Sequence, residues 1–296
     1  MEHVPVLLHE AVEGLELKAG DTLIDATLGA GGHSSEVSKQ YAGNVSIVGF
    51  DLDQNALALA KTTVELAGGT LTQILSNFRR MEKECRERGI EEVQGVLFDL
   101  GVSSMEFSNS GRGFSFKYDE PLLMTLNSHP DEDTLTARAI VNSYTEEDLA
   151  NIIFEYGEER LSRRIAKAIV TARRIKKIET TFELVDIIKG SVPAAYRNGR
   201  IHPATRTFQA LRIATNDELG ALKDGLQGAW NLLAPGGRIA VISFHSLEDR
   251  IVKNMFKEWG KEQAKIITKK PIVPGREEII SNPRSRSSKL RIIQKL

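Results

Sequence analysis

The run Asp25-Ala26-Thr27-Leu28-Gly29-Ala30-Gly31-Gly32-His33 places three glycines just ahead of a helical stretch. Glycine lets a backbone turn tightly and approach a ligand with no Cβ in the way. The helix N-terminus behind it favours an anionic group. A strict dinucleotide fingerprint needs glycine at position 34, where Ser34 stands. Asp51 follows Gly31 by 20 residues and closes an apolar run, a place where a carboxylate can accept both hydroxyls of a ribose. Turn, helix and acidic strand end together point to a nucleoside cofactor. A tight turn beside a solvated aspartate is the plain alternative. S-adenosylmethionine has a ribose but no pyrophosphate and suits a turn lacking the third glycine, although these residues leave NAD open.

A second group of candidates surrounds Asp99-Leu100-Gly101-Val102-Ser103-Ser104. The amino group on a nucleobase is a poor nucleophile because its lone pair is delocalised into the ring. A carboxylate that accepts its N–H localises and aims that pair. Asp99 is the candidate for this work, for cofactor binding, or for simple capping of a strand end. Phe78 stands where an aromatic ring can stack on adenine, and core packing is its bland alternative. His245 and His202 are candidates to orient a base or touch RNA, with a satisfied buried histidine as the competing reading. Metal chemistry has no support: His9-Glu10 lacks a second histidine four residues on, and one cysteine, Cys85, excludes both a disulfide framework and zinc ribbons.

The elements that must hold these residues alternate in type. Thr22–Ala26, Asn44–Phe50, Leu71–Leu75 and Val93–Phe98 read as short buried strands, and the stretches near 33–41, 54–67 and 79–88 read as helices. Such alternation predicts βαβ units and a parallel sheet. The pattern stops after Asp99. Residues 101–127 read as loop with a turn at Gly111-Arg112-Gly113, and 134–189 read as helical. Strand character returns at 237–243, after a helix over 217–233 and a turn at Pro235-Gly236-Gly237, with a final strand pair near 265–268 and 290–294. The expected architecture is an open, Rossmann-like α/β sheet interrupted by a mostly helical insert.

With 296 residues, 41% hydrophobic and 27% charged, the chain can bury a large core and is not disordered. No apolar run approaches the ~18 residues that a spanning helix needs. The start, Met1-Glu2-His3-Val4-Pro5, does not resemble a signal peptide, so a cytoplasmic location is expected. The net charge of −1 hides an uneven distribution. Residues 158–212 carry 13 Lys/Arg against 5 Asp/Glu, residues 253–296 carry 12 against 4, and the remainder is strongly acidic. Clustered cations of this kind are either solvated helix faces or a surface for a polyanion. Arg173, Arg174, Lys176 and Lys177 in the first block, and Arg284 and Arg286 in the second, are the expected RNA contacts.

With these residues in place, the chain resembles the MraW/RsmH family of bacterial 16S rRNA (cytosine-N4)-methyltransferases. Gly31-Gly32-His33-Ser34 is similar to a family motif, as are Arg112-Gly113-Phe114-Ser115-Phe116 and Tyr156-Gly157-Glu158-Glu159-Arg160. The segments 99–104, 202–213, 242–250 and 282–287 are similar too, so the resemblance covers nearly the whole chain. It implies a methyltransferase sheet over residues 1–105 and 213–296, and an inserted helical substrate-recognition domain over 106–212. It implies S-adenosylmethionine as cofactor, with Gly31, Gly32, His33, Asp51, Phe78, Asp99 and Glu106 as its contacts; the family has glutamine where Glu106 stands. The implied partner is 16S rRNA within the 30S subunit, methylated on N4 of a cytidine. Leu123, Thr125 and Asn127 occupy positions that are charged in the family. They keep a second reading in view, an RNA- or ribosome-binding relative with weak catalysis.

Overall fold

The computed structural model describes residues 5–101, 111–127 and 134–296. The chain divides into two compact units, one holding residues 1–101 and 219–296, the other residues 102–218.

The first unit is a seven-stranded sheet. Its strands are β1 (Thr22–Asp25), β2 (Ser46–Asp51), β3 (Thr70–Leu75), β4 (Val93–Asp99), β5 (Leu233–Ser243), β6 (Ala264–Ile266) and β7 (Lys289–Lys295), in the order β3-β2-β1-β4-β5-β7-β6. β1 to β5 pair in parallel, and β7 runs antiparallel to both β5 and β6. The central strands are apolar without alternation because helices cover both faces. Val96, Leu97 and Phe98 of β4 are all fully buried, Val96 and Phe98 in one core cluster and Leu97 in another.

Most elements begin and end within a few residues of the sequence-based expectation. Two do not. The expected helix at 79–88 is a 3-10 turn, Phe78–Arg80, followed by a short helix, Met81–Arg86. The expected turn at Pro235-Gly236-Gly237 lies inside β5 as a pairing irregularity: Leu233 pairs with Val93, and pairing then shifts so that Arg238 meets Gly95. Proline lacks the N–H that regular pairing needs, and Gly236 takes φ +81°.

Strand order reverses between β1 and β4. From β1 the chain builds outward through β2 and β3, and from β4 it builds the other way through β5. In an open α/β sheet this reversal leaves a crevice at the carboxyl ends of the strands, where ligands bind. Asp25, Asp51 and Asp99 are the final residues of β1, β2 and β4.

The second unit is helical: Ala137–Ser143, Glu146–Glu155, Ser162–Arg173, Thr181–Ser191 and Thr205–Asn216 are its longer helices. Its core gathers Phe114, Leu122, Ile140, Leu149, Ile165, Ile169, Leu184, Phe208 and Leu211. Thr136, Thr145 and Thr180 cap three of these helices, Thr180 through a reciprocal capping box with Glu183. The segment 111–127 is tied in by polar contacts. Glu120, 6% exposed, accepts the Gly113 N–H at 2.8 Å, and Asn216 both donates to the Met124 carbonyl and accepts the Leu126 N–H at 2.8 Å. Thr125 is buried, and its carbonyl accepts from Arg112.

Candidate active site at the carboxyl ends of the strands

The glycine turn is built by conformation as much as by composition. Gly31 has φ +79° and is the N-cap of helix Gly32–Gln40. A Cβ on it would lie 3.1 Å from the Ala60 Cα, so both the dihedral and the space require glycine. The turn is pinned from below by Asp25, whose carboxylate accepts the Ser34 hydroxyl at 2.7 Å and the Thr27 N–H at 3.3 Å. Asp51 pins it from the side. One carboxylate oxygen accepts the Gly29 N–H at 2.9 Å, and the other accepts the Asp53 N–H at 2.8 Å. Each oxygen keeps a lone pair beyond these bonds.

Asp99 stands beside this turn. Its N–H donates to the Thr27 hydroxyl at 2.6 Å, and its Oδ2 lies 3.7 Å from His33 Nδ1. Its Oδ1 is buried and, among the described residues, has no hydrogen-bond partner. The other ring nitrogen of His33, Nε2, bonds to the Val6 carbonyl at 3.1 Å. Phe78 leads out of β3, and its ring meets Phe98 edge-on, with centroids 5.6 Å apart. A Cβ at Gly225 would fall 2.5 Å from the Phe78 ring, so that glycine makes room for it.

The electrostatics of the site are unusual for a surface crevice. Burial pushes the Asp25 carboxyl up from 3.8 to about 6, against the lowering effect of the Ser34 and Thr27 hydrogen bonds. Burial also raises Asp51, opposed by the backbone N–H groups that it accepts. Asp99 is held well above the ordinary carboxylate range, first by burial and then by the neighbouring charges of Asp25 and Glu248. Buried carboxylates crowded at one end of a sheet destabilise one another's charge and favour a cationic guest.

The profile of the MraW methylase family matches residues 1–296. The chain belongs to this family. It is 45% identical to the ribosomal RNA small subunit methyltransferase H of Symbiobacterium thermophilum, covering 99% of this chain and 96% of that protein. The protein of the same name from Heliobacterium mobile is 45% identical, with 99% of both chains covered. Among solved structures, a candidate rRNA methylase from Clostridium thermocellum aligns over 100% of both chains, with 15% identity and a TM-score of 0.48.

In this MraW family member the residues singled out from the sequence fall into three places. Gly31, Gly32, His33, Asp51, Phe78 and Asp99 gather at the carboxyl ends of β1 to β4. Glu106 lies outside the described residues. His245 follows β5 and is the N-cap of helix Ser246–Trp259, where its Nδ1 accepts the Glu248 N–H at 3.4 Å and its Nε2 lies 3.1 Å from Glu248 Oε1.

The basic residues differ in their surroundings. Arg173 folds back and donates to the Val141 and Tyr144 carbonyls at 2.7 and 2.6 Å, closing the end of helix Ala137–Ser143. Lys176 is paired with Glu183 at 2.5 Å. Arg174 and Lys177 are exposed in the same segment, and Arg284 and Arg286 are exposed on the 3-10 turn Pro283–Ser287.

Sequence reasoning passed over Asp25 and Glu248. The signal for Asp25 was present: three strands of the sheet end in aspartate, and only two were weighed as site residues. Glu248 sits three residues after His245, the spacing of a capping box, but histidine replaces the usual serine or threonine.

Proposed function

We propose that this chain methylates the exocyclic N4 of a cytidine in 16S rRNA, presented by the small ribosomal subunit in the cytoplasm, with S-adenosylmethionine as methyl donor. The observation that carries this reading is the Asp51 and Asp99 pair flanking a glycine turn at the point where strand order reverses. The names of the two relatives, which cover almost the whole chain, support the same reaction class and substrate.

The residues present fit the cofactor. Gly31 and Gly32 bring bare backbone to it, and the lone pairs left on Asp51 accept ribose hydroxyls. Phe78 offers a ring face to the adenine while its edge stays packed on Phe98. The buried, unpartnered oxygen of Asp99 and the crowd of carboxylates suit a ligand that carries positive charge. When bound, S-adenosylmethionine supplies a methyl group on a sulfonium centre, an electrophile that requires only a correctly aimed lone pair.

Asp99 does the aiming. Ionised, it accepts an N–H of the cytosine amino group, which localises the nitrogen lone pair. Its high proton affinity would then let it take the proton that N4 gives up as the methyl group moves from the sulfonium, which is left as a neutral thioether, to the nitrogen. Positive charge bound nearby favours the ionised form at the start. His245, whose Nδ1 accepts the Glu248 N–H, holds the helix start after β5. Arg174, Lys177, Arg284 and Arg286 supply phosphate contacts that position RNA without reading its sequence, with Arg173 and Lys176 supporting them.

The test is transfer of labelled methyl from S-adenosylmethionine to undermodified 30S subunits, with mass spectrometry of the nucleosides to locate N4-methylcytidine. Wild type should transfer, and Asp99→Asn should not while keeping its circular dichroism spectrum. Wild-type protein that binds 30S subunits but transfers no methyl would favour the RNA-binding relative instead.

A further inference from the structure

The segment Pro5–Leu7 lies across the first turn of helix Gly32–Gln40. A Cβ at Gly32 would fall 2.4 Å from the Pro5 Cγ, so the proline ring seats against the helix only because position 32 is glycine. Leu7 has φ +50°, a left-handed conformation that is strained for a leucine. Three contacts hold it there. Its side chain is buried, its carbonyl accepts the Ala11 N–H at 2.9 Å, and its N–H donates to Glu278 Oε1 at 2.8 Å. Glu278 belongs to helix Arg276–Ser281, 271 residues further along the chain.

The Leu7 N–H and the Val6 carbonyl belong to one peptide group, and that group is planar. Whatever fixes the direction of the N–H therefore fixes the direction of the C=O on its far side. That carbonyl is the one that bonds to His33 Nε2 at 3.1 Å. A carbonyl only accepts, so Nε2 carries the hydrogen. The other nitrogen, Nδ1, is thereby set toward Asp99 Oδ2 at 3.7 Å. A carboxylate on the N–H side also polarises the peptide group and strengthens its carbonyl as an acceptor.

We propose that Glu278 is a positioning residue for the His33–Asp99 pair, acting through the Val6–Leu7 peptide group to fix which ring nitrogen of His33 carries its hydrogen. The proposal rests on the reading above that His33 and Asp99 belong to the cofactor site. Glu278 touches neither residue. Its carboxylate aims one peptide group, and that peptide group selects the tautomer that faces Asp99.

The experiment uses the full-length protein labelled with 15N-histidine and follows the ring nitrogens of His33 by NMR, alongside calorimetric titration with S-adenosylmethionine. His33→Gln assigns the signals. In wild type His33 should show a protonated Nε2. Glu278→Ala should lose that fixed form and give averaged nitrogen shifts, with cofactor binding weaker by about threefold to tenfold, a fraction of one charge-assisted hydrogen bond. Glu278→Gln, whose amide oxygen accepts the same N–H, should resemble wild type in both readouts. An unchanged His33 signal in Glu278→Ala overturns the proposal, whatever happens to affinity, because a merely structural residue would weaken binding without moving the tautomer. Failure of wild type to bind S-adenosylmethionine would instead overturn the cofactor reading, and the His33 signals would still decide the role of Glu278.

Discussion

Asp25 makes the stability of this protein fall as pH rises through the weakly acidic range, the reverse of what a salt-bridged carboxylate does. In the folded protein its carboxyl keeps a proton up to about pH 6, whereas the ordinary value is 3.8. Between those values folding takes up a proton. The stabilising contribution is therefore complete below 3.8 and is lost as pH rises through 6. The whole gap corresponds to about 3 kcal/mol at about 1.4 kcal/mol per pH unit. Only part of it falls in an accessible window. From pH 5 to pH 7.5 the two titration curves predict a loss of about 1 kcal/mol. Asp25→Asn removes this titration and keeps one of the two accepting oxygens, so that its amide oxygen can accept from the Thr27 N–H while its NH2 donates to the Ser34 hydroxyl oxygen. Urea denaturation of wild type and Asp25→Asn at pH 5 and pH 7.5, at constant ionic strength, reads this contribution together with the part of the Asp99 shift that the Asp25 charge causes. Wild type should lose at least about 1 kcal/mol more than the variant over this range. Parallel pH dependences, or a wild type that gains stability relative to the variant as pH rises, would refute the argument that burial outweighs the two hydrogen bonds at Asp25.

Asp51→Ala should weaken S-adenosylmethionine binding by roughly 1.5–3 kcal/mol, the range for hydrogen bonds to a charged group, and calorimetry that shows unchanged affinity removes Asp51 from the ribose. It should also loosen the glycine turn, since the Gly29 and Asp53 N–H groups lose their acceptor. Arg174→Glu with Lys177→Glu should weaken RNA binding and flatten its salt dependence, because fewer counterions are released. A salt slope equal to that of wild type would make this segment an ordinary solvated face.

Much of the sheet was legible because it is written in local patterns. Three of the first four strands are short, largely apolar runs that end in aspartate, so the ligand end of the sheet is marked in the sequence itself. What was hidden depends on partners distant in the chain. Arg173 looks like one more cation in a basic run, and only the fold shows its guanidinium spent on the Val141 and Tyr144 carbonyls. Proline and glycine at 235–237 read as a turn because local propensity says so. Pairing with β4 on either side overrides that propensity and absorbs them into β5. His245 caps the helix that follows through its Nδ1, a role for histidine that its spacing to Glu248 alone does not announce. The contact between Leu7 and Glu278 joins the two extremes of the described chain, and no periodicity or spacing announces it.

The place of β7 has a consequence for how the molecule is made. It follows every other strand in the chain, yet it lies inside the sheet, hydrogen-bonded to β5 on one side and β6 on the other. The sheet is therefore finished out of order. During synthesis the N-terminal strands can pair as they emerge, since β1, β2 and β3 are neighbours both in the chain and in space. β5 then waits with one backbone edge unpaired, and β6 waits with no strand beside it, until residues 289–295 arrive. Unpaired edges are where nascent or truncated chains find one another. Removal of residues 289–295, with the buried Leu290, Ile292 and Ile293, would leave the β5 edge and β6 without their strand partner.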